Sequence, residues 1–210
     1  MSIKLIILDF DGTLVDTRDL TYNIIKKETS RRGYSLSKNY KRDMGDFPMH
    51  VHLKKEGVKK KDIWDIMTRI GIDLVSNIGK IKTAKNFRSL AKINKKKIIL
   101  SNNNKIFIKT LLIKFGIGFI DEVHGQKEFH SKSQGIRHVL RKKRTKPSEA
   151  VYVGDRDRDI SEARKAGCYS VAISNRISWS TKKEILKARP DFIISDLKEL
   201  NFVIKRLDSL

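Results

Sequence analysis

Short apolar runs recur along this chain, and stretches of helix length with one apolar face separate them. Runs of this kind, rich in Val, Ile and Leu, are typical of strands that are buried on both faces of a sheet. Strand, helix, strand at this spacing predicts βαβ units, and therefore an α/β fold with a doubly wound, Rossmann-like parallel sheet. The predicted strands are residues 5–8, 98–100, 151–153, 171–173 and 192–194, with another at Val123, and the predicted helices contain residues 87–93, 106–115 and 136–140.

One long segment, residues 17–80, lacks this alternation. It carries helical patterning and no convincing strand, and Gly33, Gly45, Pro48 and Gly57 divide it into several helices. A loop of this length without secondary structure would be unusual. The pattern therefore predicts two domains: an α/β core of residues 1–16 and 81–210, and a small all-helical domain of residues 17–80 inserted after the first strand.

The composition is that of a soluble globular protein, with 39% hydrophobic and 33% charged residues. No apolar stretch approaches the roughly 20 residues that span a bilayer, and the N-terminal strand does not resemble a signal peptide. Cys168 is the single cysteine, which excludes disulfides within the chain. We therefore expect a cytoplasmic protein without a membrane partner.

The formal net charge of +22 is unusual, and basic runs at residues 54–55, 59–61, 95–97 and 141–144 carry much of it. Such a charge speeds the association of anionic partners and favours non-specific contact with nucleic acid. The alternative is that these lysines are solvated surface residues of a Lys-rich composition. Aromatic residues do not interleave with the basic runs, which argues against a single-strand-binding surface.

Two acidic residues follow the first predicted strand in the sequence Asp-Phe-Asp-Gly-Thr, residues 9–13. Ligands of open α/β sheets bind in the crevice at the carboxyl ends of the strands. Carboxylates held this close attract a divalent cation, and one can act as a nucleophile while the other moves protons. The alternative is a solvated Asp-Gly turn.

Polar residues also follow two later strands. Ser101 ends the strand of residues 98–100, where it could bind a phosphate oxygen or cap a helix. Asp155 ends the strand of residues 151–153, and Asp159 lies one helical turn beyond it. A third acid at a second strand end would complete an oxygen-rich site for a hard cation such as Mg²⁺, although acids at a helix start also suit the helix dipole.

Lys132 stands at the start of a predicted helix, where a cation is slightly unfavourable, and this suggests a functional role. Lys127 competes with it for that role. His50 and His52 have neither the spacing of one helix face nor that of a zinc site, so we expect them to be surface or packing residues. Cys168 is interpreted as a small buried apolar residue rather than a nucleophile.

Taken in order, residues 9–13, Ser101, Lys132 and the sequence Gly-Asp-x-x-x-Asp at residues 154–159 resemble the motifs of the haloacid dehalogenase-like hydrolase superfamily, mostly Mg²⁺-dependent phosphatases. The resemblance covers the whole chain and implies a doubly wound parallel sheet. The helical segment and residues 159–167 are similar to the subgroup with a helical cap that includes phosphoglycolate phosphatases. The family often has a proline near the lysine, and this chain has none there.

The resemblance implies a role for each acid. Asp9 would attack phosphorus to form a phosphoaspartate, and Asp11 would protonate the leaving oxygen and then deprotonate water. Mg²⁺ would be held by Asp9, the backbone carbonyl of Asp11, and Asp155, with Asp159 supporting it through water or from an outer position. Asp11 also distinguishes the phosphatases from the dehalogenases of the same family, which lack this second acid.

The phosphoryl group would be bound by Ser101, the backbone of Asn102, and Lys132. The cap would close over the site, with Arg18 and residues 45–52 as candidates that face the substrate. We therefore expect a Mg²⁺-dependent phosphatase for a small phosphorylated metabolite, acting as a monomer or homodimer. Two alternatives stay open: a phosphomutase of the β-phosphoglucomutase type, and a polynucleotide-end phosphatase or other nucleic-acid-associated protein that uses the basic charge.

Overall fold

A computed structural model describes residues 2–45, 47–125 and 128–210 of the chain. The chain forms two compact units, one of residues 1–16 and 83–210 and the other of residues 17–82. The strands are β1 (Leu5–Leu8), β2 (Val15–Asp16), β3 (Lys82–Thr83), β4 (Lys96–Leu100), β5 (Glu122–His124), β6 (Ala150–Gly154), β7 (Tyr169–Ile173) and β8 (Phe192–Ile194). The α-helices are α1 (Arg18–Ser30), α2 (Tyr40–Asp43), α3 (Met49–Lys55), α4 (Lys60–Ser76), α5 (Lys105–Lys114), α6 (Lys132–Lys142), α7 (Asp157–Ala166), α8 (Lys182–Ala188) and α9 (Leu200–Asp208).

The larger unit contains a six-stranded sheet in the order β5-β4-β1-β6-β7-β8, and its paired strands are parallel. This confirms the predicted α/β fold class. β1 lies between β4 and β6, with Leu8 opposite Ile99 on one side and Val153 on the other. Because the three strands are parallel and in step, the residues that follow them meet at one edge of the sheet.

The core explains why the apolar runs form central strands. All four residues of β1 are buried, since helices cover the sheet. Leu5, Ile7, Ile136 and Val139 belong to one apolar cluster that joins β1 to α6. Burial of each such side chain stabilises the fold by roughly 1.5–3 kcal/mol, and this accounts for the placement of the strands.

The smaller unit is helical, and Gly33, Gly45, Pro48 and Gly57 lie between its α-helices. α1 ends before Gly33, α2 ends before Gly45, Pro48 precedes α3, and Gly57 separates α3 from α4. The buried face of α4 has the three- and four-residue spacing of an amphipathic helix, with Ile63, Ile66, Ile70 and Leu74.

The two histidines of the smaller unit differ in exposure. His50 is exposed, and His52 is buried, where its Nε2 accepts the Phe47 N–H at 3.0 Å and its ring meets Tyr40 edge-on. His52 therefore packs from α3 against Tyr40 of α2. Within the candidate segment 45–52, Asp46 lies outside the described residues.

Some elements differ from the sequence expectation. The apolar face at residues 87–93 belongs to a short 3₁₀ helix, Phe87–Lys92, which buries Phe87 and Leu90. Cys168 is buried, as the sequence predicts, and burial raises the pKa of its thiol to about 12.

Within the described ranges, no helix has the length and apolar character needed to cross a bilayer.

Candidate active site

Three carboxylates converge at the carboxyl edge of the sheet. Asp9 follows β1, Asp155 follows β6, and Asp159 lies in the first turn of α7. Each offers one carboxylate oxygen to a group whose members lie within 4.8 Å of one another, and all three side chains are buried. The backbone N–H of Asp9 donates to the Val153 carbonyl at 2.8 Å, which extends the pairing of β1 and β6 to the site itself.

Gly154 allows α7 to approach the sheet. A Cβ at this position would lie 2.5 Å from the Cγ and Oδ2 of Asp159, well inside van der Waals contact. Asp159 Oδ2 also accepts the N–H of Arg156 at 3.1 Å, an interaction that caps the helix. Asp159 therefore has the structural role expected of an acid at a helix start and also belongs to the same group of carboxylates as Asp9 and Asp155.

The carboxylate of Asp155 is held at both oxygens. Thr13 Oγ1 donates to Oδ1 at 3.0 Å, and the backbone N–H of Trp179 donates to Oδ2 at 2.6 Å. Gly12 has a φ of +77°, and a Cβ there would collide with Asp155 Oδ2 and Trp179 Cδ1. The Gly-Thr that follows the paired acids is therefore required for the chain to pass beside Asp155.

Lys132, the first residue of α6, joins the same cluster. Its Nζ donates to Asp9 Oδ2 at 2.7 Å and to Asp159 Oδ1 at 2.6 Å, and only 11% of its side chain is exposed. Ser131 accepts the Gln134 N–H and begins the helix, which leaves Lys132 to extend toward the acids. The competing Lys127 lies outside the described residues.

Burial dominates the electrostatics of the cluster. Burial raises the pKa of Asp9 to about 7, although Lys132 opposes this effect. Burial and the neighbouring charges of Asp159 and Asp9 raise the pKa of Asp155 well above its ordinary value. For Lys132, burial would lower the pKa, but the charges of Asp159 and Asp9 hold it well above its ordinary value.

A divalent cation fits this donor set. If all three carboxylates were ionised beside one ammonium, the buried space would carry two excess negative charges, which a divalent cation would neutralise. Carboxylate oxygens are the ligands that Mg²⁺ and similar hard cations prefer. Asp9, Asp155 and Asp159 could hold the ion, so Asp159 is a candidate direct ligand as well as the supporting residue expected from the sequence.

Asp11 is positioned by a residue that the sequence analysis missed. Asn103 Nδ2 donates to Asp11 Oδ2 at 2.9 Å. Asn103 Oδ1 accepts the N–H of Asn104 at 2.7 Å, and this fixes which end of the amide faces Asp11. Asp11 and Asn103 are each the third residue after neighbouring strands, β1 and β4. This equal distance from two adjacent strand ends could have predicted that the two side chains lie close together.

Ser101 directly follows β4, the strand that pairs with β1. It is buried, its N–H donates to the His124 carbonyl at 3.1 Å, and its Oγ accepts the N–H of Asn103 at 3.1 Å. The cap of α5 is Asn104, whose side chain accepts the N–H groups of residues 106 and 107, so Ser101 is not the helix cap. Asn102 is half-buried in the same turn.

Comparisons with known proteins agree with this arrangement. The model of the haloacid dehalogenase-like hydrolase family matches residues 6–173. The chain is 22% identical to a phosphoglycolate phosphatase of Synechococcus elongatus over 96% of this chain and 97% of that protein. It is 25% identical to a protein of Caldanaerobacter subterraneus that is provisionally named a pyrophosphatase, over 99% of this chain and 97% of that protein.

Among solved structures, a β-phosphoglucomutase from Clostridium difficile is similar in fold, with a TM-score of 0.81 and 18% identity over 99% of this chain and 97% of that one. The family match spans most of the chain, including both acidic motifs. The chain therefore belongs to the haloacid dehalogenase-like hydrolases.

Proposed function

We propose that this protein is a Mg²⁺-dependent phosphatase that hydrolyses a small phosphorylated metabolite through a phosphoaspartate. The observation that supports this most strongly is the buried group of Asp9, Asp155, Asp159 and Lys132, with Asp11 hydrogen-bonded to Asn103. Phosphoryl transfer depends on positioning and charge neutralisation more than on elaborate covalent chemistry. A buried group of acids with one fixed cation suits that requirement.

In the proposed first step, an Asp9 carboxylate oxygen forms a bond to phosphorus while the bond to the leaving oxygen breaks. Asp11 gives its proton to that oxygen, so the product leaves as a neutral alcohol. In the second step Asp11 takes a proton from water, the water oxygen attacks phosphorus, and the bond to Asp9 breaks. When bound, Mg²⁺ would supply positive charge beside the transferring group.

Lys132 would hold the Asp9 carboxylate in place and neutralise charge on the phosphoryl oxygens, and Ser101 and the backbone of Asn102 would bind those oxygens. Asp11 also disfavours carbon–halogen chemistry, since that reaction has no leaving oxygen to protonate. In this proposal the helical unit is a cap that excludes water during the first step and contacts the substrate through Arg18 and residues 45–52.

The names of the relatives support a small phosphate ester as the substrate, with phosphoglycolate the first compound to test. The provisional pyrophosphatase makes inorganic pyrophosphate the second. A phosphomutase would convert a sugar phosphate without releasing inorganic phosphate. A phosphatase for polynucleotide ends would release phosphate from an oligonucleotide and bind it with a steep salt dependence.

The first test measures phosphate release from this panel with the wild type and with Asp9→Asn. We expect a loss of roughly a thousandfold or more, because the nucleophile is removed. Asp157→Asn is the matched control, since Asp157 is an exposed acid of the second acidic motif, and it should stay within about twofold of the wild type. If purified Asp9→Asn releases phosphate at the wild-type rate, Asp9 is not the nucleophile.

The second test removes and restores the metal. EDTA should abolish phosphate release, and added Mg²⁺ should restore it. Mg²⁺ should also raise the melting temperature of the wild type but not that of Asp155→Asn, because ligand binding stabilises the folded state by mass action. Full activity in a metal-stripped sample would contradict the proposed ion site.

A further inference from the structure

A second charged region lies at the opposite edge of the sheet. A cleft of about 560 Å³ opens at the amino ends of β1 and β4, and its charged lining residues are Lys4, Lys95, Lys96, Lys143, Arg144 and the single acid Asp121. β1 has four residues, so this cleft lies about 13 Å from the strand ends that carry Asp9. It is a separate region from the candidate active site.

The cations of the cleft are held in different ways. Lys95 is 21% exposed and bonds Asp208 at 2.8 Å, and Lys143 is 19% exposed and bonds Glu122. Neither acid lines the cleft, so each fixes its lysine from outside the cavity. Two further cations, Lys96 and Arg144, are exposed and have no carboxylate partner among the ion pairs of the described residues.

Arg144 has a backbone conformation that supports a role for its side chain. Its φ is +50°, in the left-handed region just past the end of α6, where glycine is the usual residue. An arginine there costs roughly 1 kcal/mol relative to glycine. Arginine at this cleft supplies a planar fork of N–H donors that matches a phosphate group.

We infer that this cleft binds a small anion with two or more phosphate groups. Glu149, Asp208 and Glu122 pair with three of the five cations, Lys4, Lys95 and Lys143, from outside the cleft. The remaining two cations, Lys96 and Arg144, each offer a charged group to an anion that carries more than one phosphate. The volume lies within the range of small-molecule sites, about 300–1,000 Å³. A nucleic acid would need an extended basic track with aromatic stacking partners, and the cleft has no aromatic lining residue among those described.

The test measures the affinity of inorganic tripolyphosphate by calorimetry at about 0.15 M salt, where surface charges beyond roughly 8 Å are screened. EDTA is present so that the metal-dependent activity proposed above does not consume the probe. The cleft variant is Lys96→Glu with Arg144→Glu. The control is Lys109→Glu with Lys183→Glu, at exposed positions of α5 and α8, and both variants lower the net charge of +22 by four.

We expect the cleft variant to lose affinity by about tenfold or more, while the control stays within about twofold of the wild type. Equal affinity in all three proteins would place tripolyphosphate elsewhere, for example among the catalytic groups, and overturn the inference. If both variants lose affinity for tripolyphosphate equally, the loss comes from the overall charge of the protein, and the inference is again wrong. Melting temperatures of both variants verify that they are folded.

A short single-stranded oligonucleotide is titrated in parallel. If it binds with a steep salt dependence and tripolyphosphate does not bind, the surface is a nucleic-acid site and the inference is wrong. Catalysis plays no part in this binding measurement. A negative result would therefore not contradict the proposed phosphatase activity, and wild-type activity in Asp9→Asn would not contradict anion binding at the cleft.

Discussion

The two edges of the central sheet carry charge in opposite ways. At the carboxyl edge, three aspartates and Lys132 are buried together. At the amino edge, most of the charge is positive, and Lys96 and Arg144 are exposed to solvent. The same strands support both edges, so the difference comes from the residues that precede and follow those strands.

The consequence is chemical. At the carboxyl edge burial raises the pKa of Asp9 to about 7, so its charge depends on a cation beside it. At the amino edge the hydrogen bonds and charges of Lys143 and Lys142 lower the pKa of Glu122 to about 2, so that it stays ionised. Buried charge suits catalysis because it interacts strongly with a bound group, and exposed charge suits reversible attraction of an anion.

The largest expected effect comes from removing one lysine at each edge. Lys132→Met should lower the free energy of unfolding by about 3 kcal/mol, because it leaves Asp9 and Asp159 buried without their cation. Lys96→Met should change it by less than about 0.5 kcal/mol, because its side chain is solvated. Urea unfolding of both variants measures the difference.

Equal losses in the two lysine variants would remove the contrast between the edges. A Lys132→Met protein that is as stable as the wild type would show that the acids lose their charge at little cost. Phosphate release by Lys132→Met should fall in either case, since the proposed phosphoryl contact is lost.

The sequence was sufficient for the sheet because a strand buried on both faces must be a continuous apolar run. β1 and β6 occur where the runs at residues 5–8 and 151–153 predicted them, and all residues of both strands are buried. The meeting of Asp9 and Asp155 could also be anticipated, since the carboxyl ends of neighbouring parallel strands share one edge. These predictions needed only the positions of the apolar runs and the parallel arrangement of the strands.

The finer contacts depend on approach distances that no pattern encodes. Asp159 reaches the cluster because Gly154 lacks a Cβ. Trp179 donates its backbone N–H to Asp155 from a loop 24 residues away in sequence. Almost every residue type has a backbone N–H, so the sequence cannot predict this donor. The roles of Asp9, Asp155 and Lys132 stay predictions that the variants above test. The cap function of the helical segment also stays a prediction.

The next effect concerns Asn103, which holds Asp11 through one hydrogen bond. Asn103→Ala should lower kcat by about tenfold to a hundredfold, because a misplaced proton donor reduces turnover without removing any reacting atom. KM should change little. Asn94→Ala, an exposed asparagine of the amino-edge cleft, is the matched control and should keep wild-type kinetics. A loss in KM alone would assign Asn103 to substrate binding instead.

The smallest expected effect is the pH dependence contributed by Glu122. Its lowered pKa means that the folded state favours the ionised form, so its stabilisation is present above the ordinary value of 4.5 and is lost as the pH falls toward about 2. Glu122→Gln should therefore be less stable than the wild type by at most about 1 kcal/mol at neutral pH, and the two curves should converge near pH 2.

In a Lys143→Met background the Glu122→Gln substitution should cost much less, because Lys143 is the main source of the shift. A difference between wild type and Glu122→Gln that stays constant from neutral pH to pH 2 would mean that packing, rather than charge, connects β5 to the end of α6. The amino edge would then resemble the carboxyl edge in depending on burial, and the contrast between the two edges would no longer hold.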